Sequence, residues 1–302
     1  MALSITQTPA LVSLAQSPII FTVAESTPVY TSSSFQYVGE LYYWTGSLTS
    51  SSSLADYTIT KFPNTANVGI FDLNRIINST LTPLAIANTS NVVYYAVDFY
   101  YQYLSASTYI TASHTRSQTY KALDGYGIFQ EAIGQNITSS TIYWPLMTDG
   151  PATQSAFTTN KGTAGVYVGT AGGTNQPTKI TYTSNLGSAD YTVYTTTGTS
   201  GQIYQYPIGP AQSGFPLSTT GLTYYTTQAY SGSTALSSPI LYNIDCIQKY
   251  PNVRIKWKNR YGQFDYFNFY MVSKESFQNR KEEPYQPQLG TWEGSTLSYQ
   301  RY

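Results

Sequence analysis

Residues 92–104, VVYYAVDFYYQYL, carry the pattern that most limits the fold of this chain. Successive side chains of a β-strand point to opposite faces, so residues two apart share a face. One face of this segment is entirely apolar or aromatic and holds Val93, Tyr95, Val97, Phe99 and Tyr101. The other face carries Asp98 and Gln102, which predicts a long strand with one buried side and one side facing water.

Strand patterns recur at 18–23 and 35–44, and the residue mix favours strands along the whole chain. Tyrosine accounts for 31 of 302 residues, whereas Lys and Glu, which are common on exposed helix faces, are scarce. These preferences are typical of pleated, half-buried surfaces. We therefore predict an all-β protein with helix limited to short connections such as 71–80, where Phe71 and Ile77 stand near helical spacing.

A change of pattern at 144–155, WPLMTDGPATQS, predicts a division of the chain. Pro145 and the Asp-Gly-Pro run that follows it interrupt the strand signals. Beyond this segment come short strands separated by Gly, Asn, Ser and Pro, at the spacing of a sandwich or barrel. We predict two β-sandwich or jelly-roll-like units, an N-terminal one over 1–148 and a C-terminal one over 149–302.

The chain carries few charges, and they are unevenly distributed. Charged residues make up 10% of the sequence, against roughly 25% in an ordinary soluble domain. Residues 1–245 have six basic and ten acidic groups, whereas residues 246–302 have nine and five. A surface so poor in charge is weakly protected against association, and a basic segment on an acidic body suits docking between subunits. We therefore expect a homo-oligomer.

The sequence contains no recognisable catalytic constellation. His114 is the single histidine, which excludes a two-histidine metal site, and no nucleophile elbow, phosphate-binding loop or dinucleotide motif occurs. The stretches LDGYG at 123–127 and TDGP at 148–151 are interpreted as turns. The adjacent Glu282 and Glu283 lie in a charge run typical of solvated surface. We expect no enzymatic activity, no catalytic residue, no cofactor and no metal.

The N-terminus predicts where the chain is made, and the single cysteine excludes disulfide chemistry. Residues 1–23 lack a basic leader and a long apolar core, and they contain Pro9 and Pro18. We therefore expect neither a signal peptide nor a membrane span, and hence synthesis in a cytoplasm. Cys246 is the single cysteine, which excludes an internal disulfide, and we expect it to be a buried small hydrophobe.

Residues 253–269, VRIKWKNRYGQFDYFNF, predict a β-hairpin that reverses around Gly262. Along its first strand, one face holds Val253, Ile255 and Trp257, and the other holds a row of cations, Arg254, Lys256, Lys258 and Arg260. We expect the apolar face to pack in a core, joined from the second strand by Phe264, Phe267 or Phe269.

Three roles are open for the cation row. It forms a solvated face that discourages edge-to-edge pairing, or it meets an acidic surface of a neighbouring subunit, since the remainder of the chain carries the opposite net charge. The third role is contact with nucleic acid, for which four cations are a small footprint. We expect no nucleic-acid partner.

Six segments, taken in order, resemble a family of known proteins. They read SPIIFTV, FQYVGELYY, KFPNTANVGIFDLNRII, PLMTDGP, YQYPIGP and IKWKNRYGQFDYFNFYMVSKESFQNRKE. The strongest motif comprises Asn259, Arg260, Tyr261 and Gly262 with Asp265, Tyr266, Phe267 and Phe269, and the second comprises Pro63, Asn64, Gly69, Phe71 and Asp72. Over almost the whole chain, these segments are similar to a family of virion structural proteins of tailed phages, notably phages of marine bacteria and Bacteroidetes.

The resemblance implies a non-enzymatic, architectural role in the virion, in the tail, connector or collar, with other virion proteins as partners. It also implies synthesis in the cytoplasm of a host bacterium. The alternatives are a capsid or head-decoration protein and a receptor- or carbohydrate-binding virion module, because exposed tyrosines can stack on sugar rings. A β-fold glycoside hydrolase stays open as well, since it requires only two carboxylates at a suitable separation.

Overall fold

The computed structural model describes residues 3–26, 34–46, 54–81, 92–127, 146–169, 176–193, 201–245 and 252–269. Within these ranges the chain forms nineteen strands and one short helix, which confirms the all-β prediction. The first half contains β1 Ser4–Gln7, β2 Val12–Leu14, β3 Ile20–Ala24, β4 Gln36–Trp44, β5 Tyr57–Lys61, β6 Val68–Asp72, α1 Asn74–Thr80, β7 Val92–Ser105, β8 Thr108–Arg116 and β9 Tyr120–Leu123. The second half contains β10 Thr153–Ala156, β11 Thr163–Val168, β12 Lys179–Ser184, β13 Gly187–Thr192, β14 Gln202–Pro207, β15 Tyr224–Ser231, β16 Thr234–Ala235, β17 Ile240–Ile244, β18 Val253–Lys258 and β19 Phe264–Phe269.

Each described sheet takes its strands from one side of residue 148. In the first half, β1, β3 and β6 form an antiparallel sheet, and a larger sheet has the order β2-β9-β7-β4-β5, with β8 also paired to β7. In the second half, one sheet has the order β10-β17-β15-β12-β13, with β16 on β15, whereas β11 with β14 and β18 with β19 form separate pairs. The pairing is consistent with a sandwich in each half, while the division at residue 148 and a jelly-roll topology stay predictions.

Three apolar clusters lie between these sheets. The first lies between the two sheets of the first half and contains Phe21, Phe71 and Phe99, where the ring centroids of Phe21 and Phe99 are 5.4 Å apart. The second fills the space between the pair β11–β14 and the larger sheet of the second half. The third lies between the two halves of the chain. The described sheets are therefore packed in layers, and the pair β11–β14 contributes to both the second and the third cluster.

Strand β7 is buried on both faces over its first half, which corrects the prediction of one wet side. Val92, Tyr94 and Ala96 belong to the third cluster, where they are joined by Tyr167 and Ile203 from β11 and β14. The second half of the chain covers the face that the alternation alone assigned to water. The described sheet around β7 is thus an inner layer.

The helix is shorter than predicted and begins at Asn74. Phe71 and Asp72 belong to β6, in which Phe71 pairs with Phe21 of β3 and is fully buried. Oδ1 of Asp72 accepts hydrogen bonds from the backbone nitrogens of Asn74 at 3.2 Å and of Ile19 at 3.1 Å. The single helix in the described ranges has seven residues, too few to cross a membrane. Sheet pairing has priority over helical spacing at Phe71 because it buries a large aromatic ring.

Lys121 of β9 is buried close to the contact between the two halves. Lys121 is 7% exposed, and its ammonium lies 5.7 Å from the centroid of the Tyr94 ring. None of the four ion pairs in the described part of the chain includes Lys121. Burial lowers the pKa of Lys121 to about 8, because the charged form loses its water on folding. The folded state therefore carries a cost for this side chain at neutral pH.

Replacing Lys121 by methionine is expected to raise the free energy of unfolding at pH 7 by on the order of 3 kcal/mol, the equivalent of the pKa difference from an unfolded lysine. Between about pH 8 and pH 10.5 the unfolded wild-type chain binds more protons than the folded chain, so this cost fades as pH rises. Urea denaturation of both chains at several pH values measures the difference. A difference that stays constant from pH 7 to pH 10 would contradict this account of Lys121.

Candidate functional site

The C-terminal hairpin forms as predicted, but it turns its cation face, and not its apolar face, toward the remainder of the described chain, which we call the body. Strands β18 and β19 pair in antiparallel register, with Ile255 opposite Phe267 and Trp257 opposite Asp265. Gly262 lies in the turn with a φ of 73°, which confirms the predicted reversal. Three members of the cation row contact groups of the body, and the apolar residues of β18 are exposed.

Arg254 is held by two amide oxygens and an aromatic ring. Its Nη1 donates hydrogen bonds to Oδ1 of Asn160 at 2.5 Å and to Oδ1 of Asn268 at 3.1 Å. The guanidinium carbon lies 4.6 Å from the centroid of the Tyr266 ring. Asn160 and Asn268 are buried, and Nδ2 of Asn268 donates to the Asn160 oxygen at 2.9 Å. Burial lowers the pKa of Arg254 below its usual value, but an arginine still keeps its charge at neutral pH.

Lys258 and Arg260 form ion pairs with two different parts of the body. Nζ of Lys258 lies 2.6 Å from Oδ2 of Asp124, just after β9. Nε of Arg260 lies 2.8 Å from Oδ1 of Asp149, whose Oδ2 accepts from the Arg260 backbone nitrogen at 2.9 Å. Partly exposed ion pairs contribute about 0–1 kcal/mol each. Their main effect is positional, because they attach one hairpin to both halves of the chain.

Lys256 is the member of the row that makes no ion pair within the described ranges. Its ammonium lies 3.7 Å from the centroid of the Phe264 ring and 6.0 Å from that of Tyr266. Because the residue is exposed, its charge is accessible to a neighbouring molecule.

The turn of the hairpin fits tightly against the segment that follows β9. Oδ1 of Asn259 accepts hydrogen bonds from the backbone nitrogens of Tyr261 at 3.0 Å and of Gln263 at 2.9 Å, which closes the turn. A Cβ atom at Gly262 would lie 1.4 Å from the carbonyl oxygen of Asp124. The turn therefore requires glycine at position 262 for two reasons, the positive φ and the close approach of two backbones.

Asp265 joins the second strand to the segment that begins at Met147. Its Oδ1 accepts a hydrogen bond from Oγ1 of Thr148 at 2.6 Å, and its Oδ2 accepts from the backbone nitrogen of Asp149 at 2.9 Å. Nδ2 of Asn259 donates to the Met147 carbonyl oxygen at 2.9 Å. Burial raises the pKa of Asp265, and the two hydrogen bonds to its carboxylate oppose that rise. These contacts fix the hairpin to the start of the second half.

The outer side of the hairpin is apolar and exposed. We define the apolar hairpin face as the side chains of Val253, Ile255, Trp257, Phe267 and Phe269, all of which are exposed. The prediction that these side chains pack in a core is therefore wrong. The physical reason is that the body offers amide oxygens and carboxylates to the cation face, and polar groups with such partners can be placed against a protein surface at low cost.

The described residues contain no cluster that could hold a metal through three or more His, Cys, Asp or Glu side chains. His114 is exposed, its Nδ1 lies 3.3 Å from Oδ2 of Asp98, and its ring lies 4.7 Å from that of Tyr100 in a tilted arrangement. Cys246 and the pair Glu282–Glu283 lie outside the described residues. The contacts around the hairpin are those of a noncovalent anchor.

Sequence reasoning missed the residues that receive the cation row. Asp124 and Asp149 lie in the two Asp-Gly stretches that the sequence predicts as turns; each stretch has a single bend in irregular chain, and each supplies a carboxylate. A signal was present, since two acidic stretches and a basic hairpin are complementary in charge. Asn160 carries no comparable signal, because two of its three donors, Arg254 and Asn268, come from distant positions in the sequence.

Comparison of the chain with protein-family models and with curated proteins gave no match.

Proposed function

We propose that this protein is a non-enzymatic structural component of a tailed phage particle, in the tail, connector or collar. It assembles there with copies of itself and with other virion proteins. The observation that carries the proposal is an exposed apolar surface on a firmly anchored hairpin. Exposed apolar patches of this kind mark contact surfaces on soluble proteins.

The residues of the strongest sequence motif support an architectural role. Asn259 closes the hairpin turn, Gly262 permits its close approach to the body, and Asp265 attaches it to the second half. Phe267 and Phe269 of the same motif lie on the exposed side. The motif therefore combines groups that anchor a hairpin with groups that the hairpin presents outward, as a building block requires.

The subunit contact of the cation row is part of this proposal, and Lys256 is its best test. Replacing Lys256 by glutamate is expected to weaken assembly in a salt-sensitive way by about tenfold at low salt, if the row faces an acidic neighbour. The free energy of unfolding should change by less than about 1 kcal/mol, because the residue is exposed. Lys258→Glu is the matched variant that breaks an internal ion pair. Unchanged assembly of Lys256→Glu at low and high salt would leave Lys256 as a solvated charge and the other three cations as anchors within the chain.

Electron microscopy of the purified protein tests the proposed function. A closed ring or a stacked tube is expected for a tail, connector or collar component, since one repeated contact around an axis closes a ring. Mass spectrometry of purified particles from the same source should detect the chain in stoichiometric amounts. A protein that stays monomeric at high concentration and is absent from particles would contradict the proposal.

A further inference from the structure

The apolar hairpin face is a continuous patch on a preorganised support. Its five side chains are 54% exposed at Val253, 44% at Ile255, 37% at Trp257, 42% at Phe267 and 51% at Phe269. The strand register places Val253 opposite Phe269 and Ile255 opposite Phe267. The rings of Phe267 and Phe269 lie 4.8 Å apart in an edge-to-face arrangement. The patch therefore holds one shape, and binding to it costs little conformational entropy.

The patch itself carries no charge. The cations of β18 extend to the opposite side of the hairpin, where Arg254 and Lys258 are bound to groups of the same chain. The carboxylate of Asp265 is buried under Thr148. An uncharged apolar patch is complementary to an identical patch, because bringing the two together creates no like-charge contact. The formal net charge of the chain is zero, so two copies do not repel each other at long range either.

The area of the patch suits a contact between two copies. Roughly half of about 200 Å² per side chain is exposed, which gives about 450 Å² for the five residues. Two such patches would bury about 900 Å² of total surface, and a narrow rim is enough to reach the roughly 1,000 Å² of a specific interface. The exposed Lys256 and Lys258 discourage addition of another strand at the β18 edge. Contact through the face is therefore favoured over contact through the edge.

We infer that the apolar hairpin face is an isologous docking surface, on which a second copy of this chain places the same face. The inference deepens the proposed function and rests on its self-assembly component. It assigns the pairing of two copies about a two-fold axis to a defined set of side chains, with the cross-strand pair of Ile255 and Phe267 at its centre. A ring of such pairs forms through a second, heterologous contact.

The double variant Ile255→Thr/Phe267→Thr tests the inference. Both residues are exposed, and threonine is well suited to strands, so the hairpin should still form. The matched control is Ile70→Thr/Phe62→Thr, which removes exposed apolar side chains of the same types, 47% and 72% exposed, from the first half of the chain. Sedimentation velocity over a range of concentrations should show that the hairpin variant raises the dissociation constant of self-association at least tenfold, with the control unchanged.

Photo-crosslinking identifies the occupant directly. A benzoylphenylalanine at position 255 of the full chain should give a product of twice the chain mass of 33.4 kDa, with crosslinked peptides from the hairpin of both copies. Crosslinks confined to one chain would overturn the inference, and so would crosslinks to another region of the second copy.

Failure of the inference is distinguishable from failure of the proposed function. If the wild-type chain associates and the hairpin variant associates equally well, the inference is wrong, while a structural role through another surface stands. If the hairpin variant dissociates but particles lack the protein, the contact stands and the virion role fails. A wild-type chain that stays monomeric at high concentration overturns the inference, and it overturns the proposed function as well if particles also lack the protein.

Discussion

Replacing Gly262 by alanine is expected to lower the free energy of unfolding by about 4 kcal/mol, a loss reserved for severe steric conflicts. A new Cβ atom would lie 1.4 Å from the carbonyl oxygen of Asp124. The turn cannot easily move away from Asp124, because the same two backbone segments are also in close contact at Gly125. A Cβ atom added there would lie 2.3 Å from the Arg260 carbonyl oxygen. Two backbones are in contact here, and the conflict can be relieved only by displacing the turn together with the ion pair of Lys258 and Asp124.

The control for this prediction is Gly232→Ala. Gly232 has a φ of 60°, close to the 73° of Gly262, but its missing Cβ has nothing within 4 Å. Its substitution therefore isolates the cost of a positive φ, about 1 kcal/mol. Urea denaturation followed by circular dichroism measures both variants. Equal losses in the free energy of unfolding at the two positions would show that the close approach to Asp124 does not contribute to the cost of the substitution.

Replacing Asn160 by alanine is expected to cost about 3 kcal/mol, the cost of leaving buried donors unpaired. Oδ1 of Asn160 accepts hydrogen bonds from the Phe157 backbone nitrogen at 3.0 Å, from Nη1 of Arg254 at 2.5 Å and from Nδ2 of Asn268 at 2.9 Å. The residue is 5% exposed, so water is poorly placed to substitute for this oxygen. The loss should appear in the free energy of unfolding and in earlier exposure of the hairpin to proteolysis.

Asn160→Asp is the matched variant, because it keeps an acceptor at the same position and adds a negative charge beside the Arg254 guanidinium. Its free energy of unfolding should stay within about 1 kcal/mol of the wild type at pH 7, since pairing with a buried cation offsets the desolvation of the carboxylate. An aspartate variant that loses as much stability as the alanine variant would indicate that shape, and not hydrogen bonding, explains the role of Asn160.

The fold class and the positions of most strands follow from the sequence because they depend on local periodicity. Alternation at 92–104 predicts β7, and the glycine at 262 predicts the reversal between β18 and β19. Local pattern fails where a distant strand competes for the same residues. Phe71 has helical spacing relative to Ile77, but its pairing with Phe21 places it in β6.

The extent of burial is likewise a tertiary property. Tyr94 lies on the face of β7 that carries Asp98 further along, and nothing in the period of two distinguishes a face that meets water from one that meets a second sheet. The second half of the chain covers that face through Tyr167 and Ile203. The apolar side chains of Val92 and Ala96 are consistent with burial of this face, but alternation alone does not identify what covers them.

The hairpin shows most clearly what the sequence alone determined and what the tertiary structure decided. The period of two placed the cation row and the apolar residues of β18 on opposite faces, as the structure has them. Only the tertiary structure decided which face meets the body. That choice depended on Asn160, Asp124 and Asp149, which reach the hairpin from far along the chain and supply oxygens to its cations. Because those partners satisfy the charges, the hairpin turns its polar face inward and leaves its apolar face in solvent.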